Sequence, residues 1–506
     1  MAYRALWRES QRVAGGLARL GVKAGDRVAV WLPNVPAWLA CFFACAQLGA
    51  VAVCVNTRFR SHELAEIVDR AGVKVLIFWP NFKGIDFAGI LAGCDATAFE
   101  RLESIVVYSE GSEPAPRAVI GKSVIDYAAL SSRDPLLENR AAPASGCVIF
   151  TTSGTTRAPK LVLHNQQNLL RHACDVVRDF RVGSDAAFML MPPLCGVYGL
   201  CTAMAAIVAG RPIVMSPVWN AEEAARDMVV HSVTHANGTD DAVVQLLAQT
   251  RAERPFPKLQ FIGYAAFNPS LADIVPRAEA RGIKLAGLYG TSEIQALFAR
   301  QDENAPVPER ALAGGKAVSD TARVRACDPE SGRVLPHGEA GELEIFAPAS
   351  RMMEYFGDPD ATRAAVTDDG FYRSGDLGYT QPDGRFVYLS RLGDSLRLGG
   401  FLVNPAEIEA VIQETPGIAA CQVVGVPRHD GLRPVAFVIL KAGAPLDEPT
   451  VVRHAAARLA KYKVPQRVFP IDSFPVTPGA NATKIQRHRL RELAERLMRS
   501  HEGEAK

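Results

Sequence analysis

Short apolar, β-branched runs alternate with longer segments of helical periodicity through most of this chain. That alternation does more than any other feature to narrow its possible folds. Gly146-Cys147-Val148-Ile149-Phe150 reads as a strand and residues 166–180 as a helix. Residues 211–215 form a strand, followed by a helix over 221–231 whose first turn carries Glu222 and Glu223, as suits a helix N-terminus. Strands follow at 258–264 and 284–289, separated by a helix over 269–281. A β-α-β rhythm calls for parallel strands joined by crossover helices, so the expected class is α/β. No strong internal repeat is present.

After about Glu293 the pattern changes to short strands punctuated by Gly and Pro, at 341–346, 371–372 and 385–389, which predicts a β-rich lobe. Beyond Ser390 a compact unit of about 110 residues follows, within the usual domain range. It has a helix over 405–414, strands near 421–424 and 435–440, and a basic terminal helix. Arg487, Arg489, Arg491, Arg496 and Arg499 of that helix read as a solvated face.

One run tests for a membrane span. Residues 38–55 read WLACFFACAQLGAVAVCV, with Gln47 as the strongly polar side chain. Gly49 is a natural helix stop and a β-branched run follows it, so a buried helix leading into a buried strand is expected instead. No transmembrane segment or signal peptide is expected, and the compartment is read as cytoplasmic.

The 506 residues suggest roughly three or four structural units on length alone. With 48% hydrophobic and 22% charged residues, the chain can build a core without staples. A net charge of +2 gives no electrostatic reason to expect a nucleic acid or an anionic membrane as partner. The ten cysteines form no Cys-x-x-Cys pair and have apolar neighbours, so most are expected to be small core residues. His231 and His235 could share a helical face, but no Glu follows His231 as a zinc motif requires, and satisfied structural histidines are the expectation.

The chemistry concentrates in Thr151-Thr152-Ser153-Gly154-Thr155-Thr156-Arg157-Ala158-Pro159-Lys160, between the strand ending at Phe150 and Leu161-Val162-Leu163. Hydroxyls, backbone N–H groups and a cation in one tight loop suit a polyphosphate. The second Gly of a Walker A loop is missing before Lys160.

Ser-Gly-Thr-Thr-x-x-Pro-Lys resembles the phosphate loop of the AMP-forming adenylating enzymes, which include acyl- and aryl-CoA synthetases, nonribosomal peptide adenylation domains and firefly luciferase. Further segments match in that family's order: Tyr289-Gly290-Thr291-Ser292-Glu293, Tyr372-Arg373-Ser374-Gly375-Asp376, the stretch 391–409, and Lys484-Ile485-Gln486-Arg487. The chain looks most like the acyl-CoA synthetases. The resemblance implies a large N-terminal part (1–390) of two helix-covered, mainly parallel sheets plus the β-rich lobe. A hinge (391–394) and a small mobile α+β cap (395–506) complete the expected architecture.

It also implies roles. Thr152, Ser153, Gly154, Thr155, Thr156 and Lys160 would hold the β- and γ-phosphates of ATP, with Thr155 and Lys160 counted as catalytic. Glu293 would be catalytic as the ligand of Mg²⁺, a hard cation suited to carboxylate and phosphate oxygens. Tyr289, Gly290 and Thr291 would line the adenine slot together with Tyr264, Ala265 and Ala266. Asp376 would accept from the ribose hydroxyls, and Arg391 would support ribose or phosphate. Lys484 would bridge the substrate carboxylate and the α-phosphate, while Gly399 and Gly400 would let the pantetheine arm of CoA pass close to backbone. Tyr198, Asn237, Gly238, Tyr264 and Gly287 are the candidate acyl-pocket residues. Segment 196–207 has no charge to pair with an α-ammonium, so an α-amino acid is disfavoured.

The expected reaction joins a fatty, alicyclic or aromatic carboxylic acid to CoA through an acyl-adenylate, releasing AMP and pyrophosphate. The alternatives are loading of a carrier-protein phosphopantetheine, a luciferase-like oxygenation, or a non-catalytic nucleotide-binding role. The oligomeric state, homodimer included, is left open. The chain departs from the family pattern at several points. Arg157 replaces a Gly, Gly393 stands at the hinge where Asp or Lys is usual, and Gly196 stands where His is usual. Extra residues precede Lys484, and the chain starts at a helix that a further strand region normally precedes, which leaves the N-terminus expected to be short.

Overall fold

The computed structural model describes residues 1–110, 116, 118–152, 159–267, 271, 273–398, 401–428, 431–478 and 483–504. Two large sheets dominate the part before residue 390. The first has nine strands, and its interior, from Gly146–Thr151 through Val51–Cys54, Arg27–Trp31, Val75–Phe78 and Ser104–Val107 to Lys122–Asp126, is parallel. Alternation along these strands buries both faces. Val28 and Val30 join one core with the helices Tyr3–Arg19 and Pro36–Leu48, while Ala29 and Trp31 join a second with the helix Ser61–Ala71. Strands buried on both sides have to read as continuous apolar runs, as Val51–Cys54 and Val75–Phe78 do, whereas Lys122–Asp126 near the sheet edge is partly exposed and mixed.

The run 38–55 resolves as expected into the helix Pro36–Leu48 and the strand Val51–Cys54. Pro36 opens the helix, and Gly49 ends it in the left-handed region at φ 72°. No helix among the described residues is long and apolar enough to cross a membrane. All cysteines are free, and all but Cys94 and Cys174 are buried.

The second sheet has eleven strands and changes character halfway. Ile213–Met215, Phe188–Leu190, His235–Thr239, Phe261–Ala265 and Leu285–Thr291 run parallel. From there Gln295–Arg300, Gly314–Ala317, Phe386–Arg391, Tyr372–Thr380, Gly341–Phe346 and Arg323–Cys327 continue the same sheet antiparallel. The β-rich lobe expected from sequence is thus the antiparallel extension of a parallel sheet. The change of direction falls at residues 292–294, beyond the carboxyl end of a parallel strand, where open α/β sheets bind ligands.

From Leu396 onward the chain has its own cores, in which, among the described residues, none before Leu396 takes part. A sheet of Ile418–Arg428, Gly431–Leu440 and Arg467–Pro470 is covered by the helices Pro405–Gln413, Glu448–Ala456 and Arg487–Glu504. Arg487 departs from the solvated reading given to the basic helix. It pairs with the buried Glu409 at 2.9 Å and donates to the Val423 carbonyl at 3.0 Å, which anchors the helix to the sheet.

Candidate active site

The segment 289–296 turns the second sheet around. Gly290 is demanded by that reversal, because a Cβ there would lie 2.7 Å from both Ala296 Cα and the Gln295 carbonyl oxygen. Tyr289 is 7% exposed, its ring edge-on to Phe386 at 5.1 Å and tilted against Tyr388 at 5.8 Å. Its hydroxyl donates to Asp376 Oδ2 at 2.6 Å.

Asp376 is 2% exposed and faces Arg391 as a cross-strand partner. Oδ1 is ion-paired with Arg391 Nη1 at 2.9 Å, a nitrogen that also donates to the Ser374 carbonyl at 3.2 Å, and Oδ1 accepts no hydrogen bond among the described residues. Burial pushes the Asp376 carboxyl above the usual range, against the opposing pull of Arg391 and Tyr289. Burial and the adjacent carboxylate together drive the Tyr289 hydroxyl well up, so it stays protonated and donates. A buried carboxylate oxygen that accepts no hydrogen bond can accept one from a ligand hydroxyl.

A second polar cluster begins at Glu293, four residues after Tyr289. Glu293 is 9% exposed, and its Oε1 accepts from the Tyr355 hydroxyl at 2.9 Å. The Lys160 ammonium sits over the face of the Tyr355 ring, 4.1 Å from its centroid. Thr152 N–H donates to the Lys160 carbonyl at 3.0 Å and Lys160 N–H to Thr152 Oγ1 at 3.1 Å, which closes the neck of the hydroxyl-rich loop. Its tip, with Ser153, Gly154, Thr155, Thr156 and Arg157, lies outside the described residues, as do Gly399 and Gly400.

Sequence reasoning missed the residues that hold the 292–296 segment. His164 Nε2 donates to the Ser292 carbonyl and His172 Nε2 to the Ala296 carbonyl, each at 2.7 Å. Burial lowers both imidazoles to about 4, so they are neutral near pH 7. Gln295, at φ 67°, donates to the Asn168 and Ser350 carbonyls. Tyr355 comes from a two-residue edge strand, Glu354–Tyr355, too short to carry a periodic signal.

The candidate pocket residues divide between two faces of the sheet. Asn237 lies on the face covered by the helix Val197–Val208, where a Cβ on Gly263 would come within 2.4 Å of its Oδ1. From that helix the Tyr198 hydroxyl reaches the Gly238 and Gly263 carbonyls at 2.9 and 3.0 Å. The open side of Gly238 instead meets Met191, and that of Gly287 the Leu312 backbone. Tyr264 points to this opposite face, its hydroxyl on the Ala311 carbonyl at 3.0 Å. The structure therefore does not gather Tyr198, Asn237, Gly238, Tyr264 and Gly287 around one cavity. Ala265 ends its strand half-buried, Ala266 follows it exposed, and the next residue, Phe267, donates its N–H to the buried Asp240, which sequence reasoning also missed. Lys484 lies on the strand Thr483–Ile485, opposite Thr477 in a two-stranded hairpin.

His235 is buried against Thr234 and Phe188, as a structural histidine should be. Among the described residues no group of three or more His, Cys, Asp or Glu could hold a metal. A Mg²⁺ ion shared with a polyphosphate would need only one or two carboxylates, its remaining ligands coming from phosphate and water, and Glu293 is a carboxylate that could serve.

The profile of a family described as AMP-binding enzyme matches residues 1–356, and that of the AMP-binding enzyme C-terminal domain matches 407–480. A feruloyl-CoA synthase of Amycolatopsis sp is 29% identical over 96% of this chain and 92% of its own length. Triostin synthetase I of Streptomyces triostinicus is 28% identical over 98% of this chain and 90% of its own. The structure of ATP-bound MatB from Rhodopseudomonas palustris aligns with a TM-score of 0.81 at 24% identity, covering 97% of this chain and 93% of that one. At that identity the likeness shows the fold.

Proposed function

The chain belongs to the AMP-binding enzyme family and is an AMP-forming acid–thiol ligase, and on that premise we propose that it activates a carboxylic acid with ATP and passes the acyl group to CoA. The observation that carries this reading is the joining of two chemistries in one place. Asp376, buried with an oxygen in want of donors, suits the ribose diol. Only a short span of chain separates its partner Tyr289 from Glu293, which shares Tyr355 with the phosphate-loop cation Lys160.

In the first step the acid's carboxylate attacks the α-phosphate and pyrophosphate leaves. Two anions must meet, so charge neutralisation and alignment dominate the barrier. Lys160, the hydroxyls of residues 152–156 and Arg391 would hold the phosphates, and Asp376 would fix the ribose. Mg²⁺ held by Glu293 would supply neutralisation of the phosphate oxygens. Lys484 would bridge the attacking carboxylate and the α-phosphate, brought there by rotation of unit 395–506 about residues 391–394. In the second step the thiol attacks the acyl carbonyl and AMP leaves, with Gly399 and Gly400 beside the pantetheine arm.

An uncharged helix Val197–Val208 supports a fatty, alicyclic or aromatic acid over an α-amino acid. A second reading, transfer to a carrier-protein phosphopantetheine, is favoured by the likeness to a protein named Triostin synthetase I rather than a CoA ligase. ATP–pyrophosphate exchange over a panel of acids, repeated with CoA or a phosphopantetheinylated carrier as acceptor, tests both. Exchange with some acid and thioester formation on CoA is the expected result. No exchange with any acid would overturn the proposal.

A further inference from the structure

Lys160 and Glu293 carry opposite charges at one site, yet no ion pair joins them; each engages a different part of the Tyr355 side chain instead. The ring face takes the ammonium and the hydroxyl takes Glu293 Oε1. Tyr355 is 3% exposed and held in place by its own strand. It pairs with Val162, two residues after Lys160, and its N–H donates to Thr362 Oγ1 at 2.9 Å. An ammonium and a carboxylate left to face each other would pair, and the pair would cancel the charges that a cation and a polyphosphate need. A cation over an aromatic face stays fully charged, and a carboxylate that accepts from a neutral hydroxyl keeps both its charge and its second oxygen.

We propose that Tyr355 is a positioning residue that keeps Lys160 and Glu293 apart and aimed, so that one meets the polyphosphate and the other its accompanying divalent cation. The proposal rests on the reading of the site as an ATP site, with Glu293 as its cation-binding carboxylate.

Tyr355→Phe keeps the ring under Lys160 and frees Glu293, whereas Tyr355→Leu removes both supports. ATP binding to the full chain is measured by calorimetry in EDTA and in Mg²⁺, with melting temperatures to confirm folding. Tyr355→Phe should match the wild type in EDTA but lose about tenfold of the affinity gained from Mg²⁺, the scale of one hydrogen bond to a charged group. Tyr355→Leu should lose about two- to fivefold in EDTA as well, the scale of a cation–π contact made by an exposed lysine. Added to Glu293→Gln, Tyr355→Phe should cost nothing further.

A wild type that binds no ATP would overturn the functional reading and this proposal with it. A wild type that binds, with a Mg²⁺ gain unchanged in folded Tyr355→Phe, would overturn this proposal alone. So would a Tyr355→Phe loss that is fully additive with that of Glu293→Gln.

Discussion

The Tyr289 hydroxyl donates to Asp376 Oδ2 at 2.6 Å, across 87 residues of chain, and ties the last parallel strand of the second sheet to its antiparallel extension. Both side chains are buried, so the bond serves the fold as well as the candidate ribose site. Tyr289→Phe leaves a buried carboxylate short of a donor and should cost about 1–3 kcal/mol of stability, read by chemical denaturation. ATP affinity should fall with it. An unchanged denaturation midpoint would contradict the structural half of this assignment.

His164 and His172 make stability depend on acid. Each is lowered to about 4 in the folded chain from an ordinary 6.5 because burial penalises the imidazolium. Between those values the unfolded chain binds the extra proton and the folded chain does not. Stability should therefore be level above pH 6.5 and fall as pH drops toward 4, by about 1.4 kcal/mol per pH unit for each histidine. Denaturation curves at a series of pH values check this. His172→Gln should flatten the slope, and an unaltered slope would remove that residue from the explanation.

Much of this architecture was legible because it is local. The strand–helix alternation pointed to the parallel portions of the two sheets, and the apolar run at 38–55 divided at Gly49 as a left-handed helix end requires. The motif residues Tyr289, Asp376 and Glu293 were legible because their order along the chain resembles a known family. What was not legible depends on distant pairing. Tyr355 and His164 act only once the edge strand Glu354–Tyr355 and the segment 292–296 lie beside Leu161–Asn165. The five pocket candidates failed to converge because neighbouring residues on a strand face opposite sides, so Asn237 and Gly238 could not both line one wall.

Arg487 and Glu409 form a largely buried pair between the terminal helix and the helix Pro405–Gln413. Removing one member strands the other, so Arg487→Met should destabilise the unit from residue 395 onward by about 3 kcal/mol. Because that unit has its own cores, its melting should move down while the transition of the larger part stays in place. Scanning calorimetry distinguishes this from a uniform shift, which would mean that the two parts unfold together.

Gly393 lies in the short turn Leu392–Asp394, where its backbone is outside the left-handed region and a Cβ would meet nothing within 4 Å. The fold therefore does not require glycine here, and Gly393→Asp should melt within a degree or two of the wild type. The effect of the glycine is conformational entropy, about 0.5–1 kcal/mol of backbone freedom at the proposed hinge. Restricting that freedom should leave ATP–pyrophosphate exchange nearly unchanged, because adenylation uses one arrangement of the two units. Thioester formation needs the second arrangement and should change about two- to fivefold, the equivalent of that free energy. Single-turnover measurement of each half-reaction separates the two, with a supplied acyl-adenylate as the substrate of the second. Equal rates for both half-reactions in the wild type and Gly393→Asp would show that the hinge does not lie at this residue.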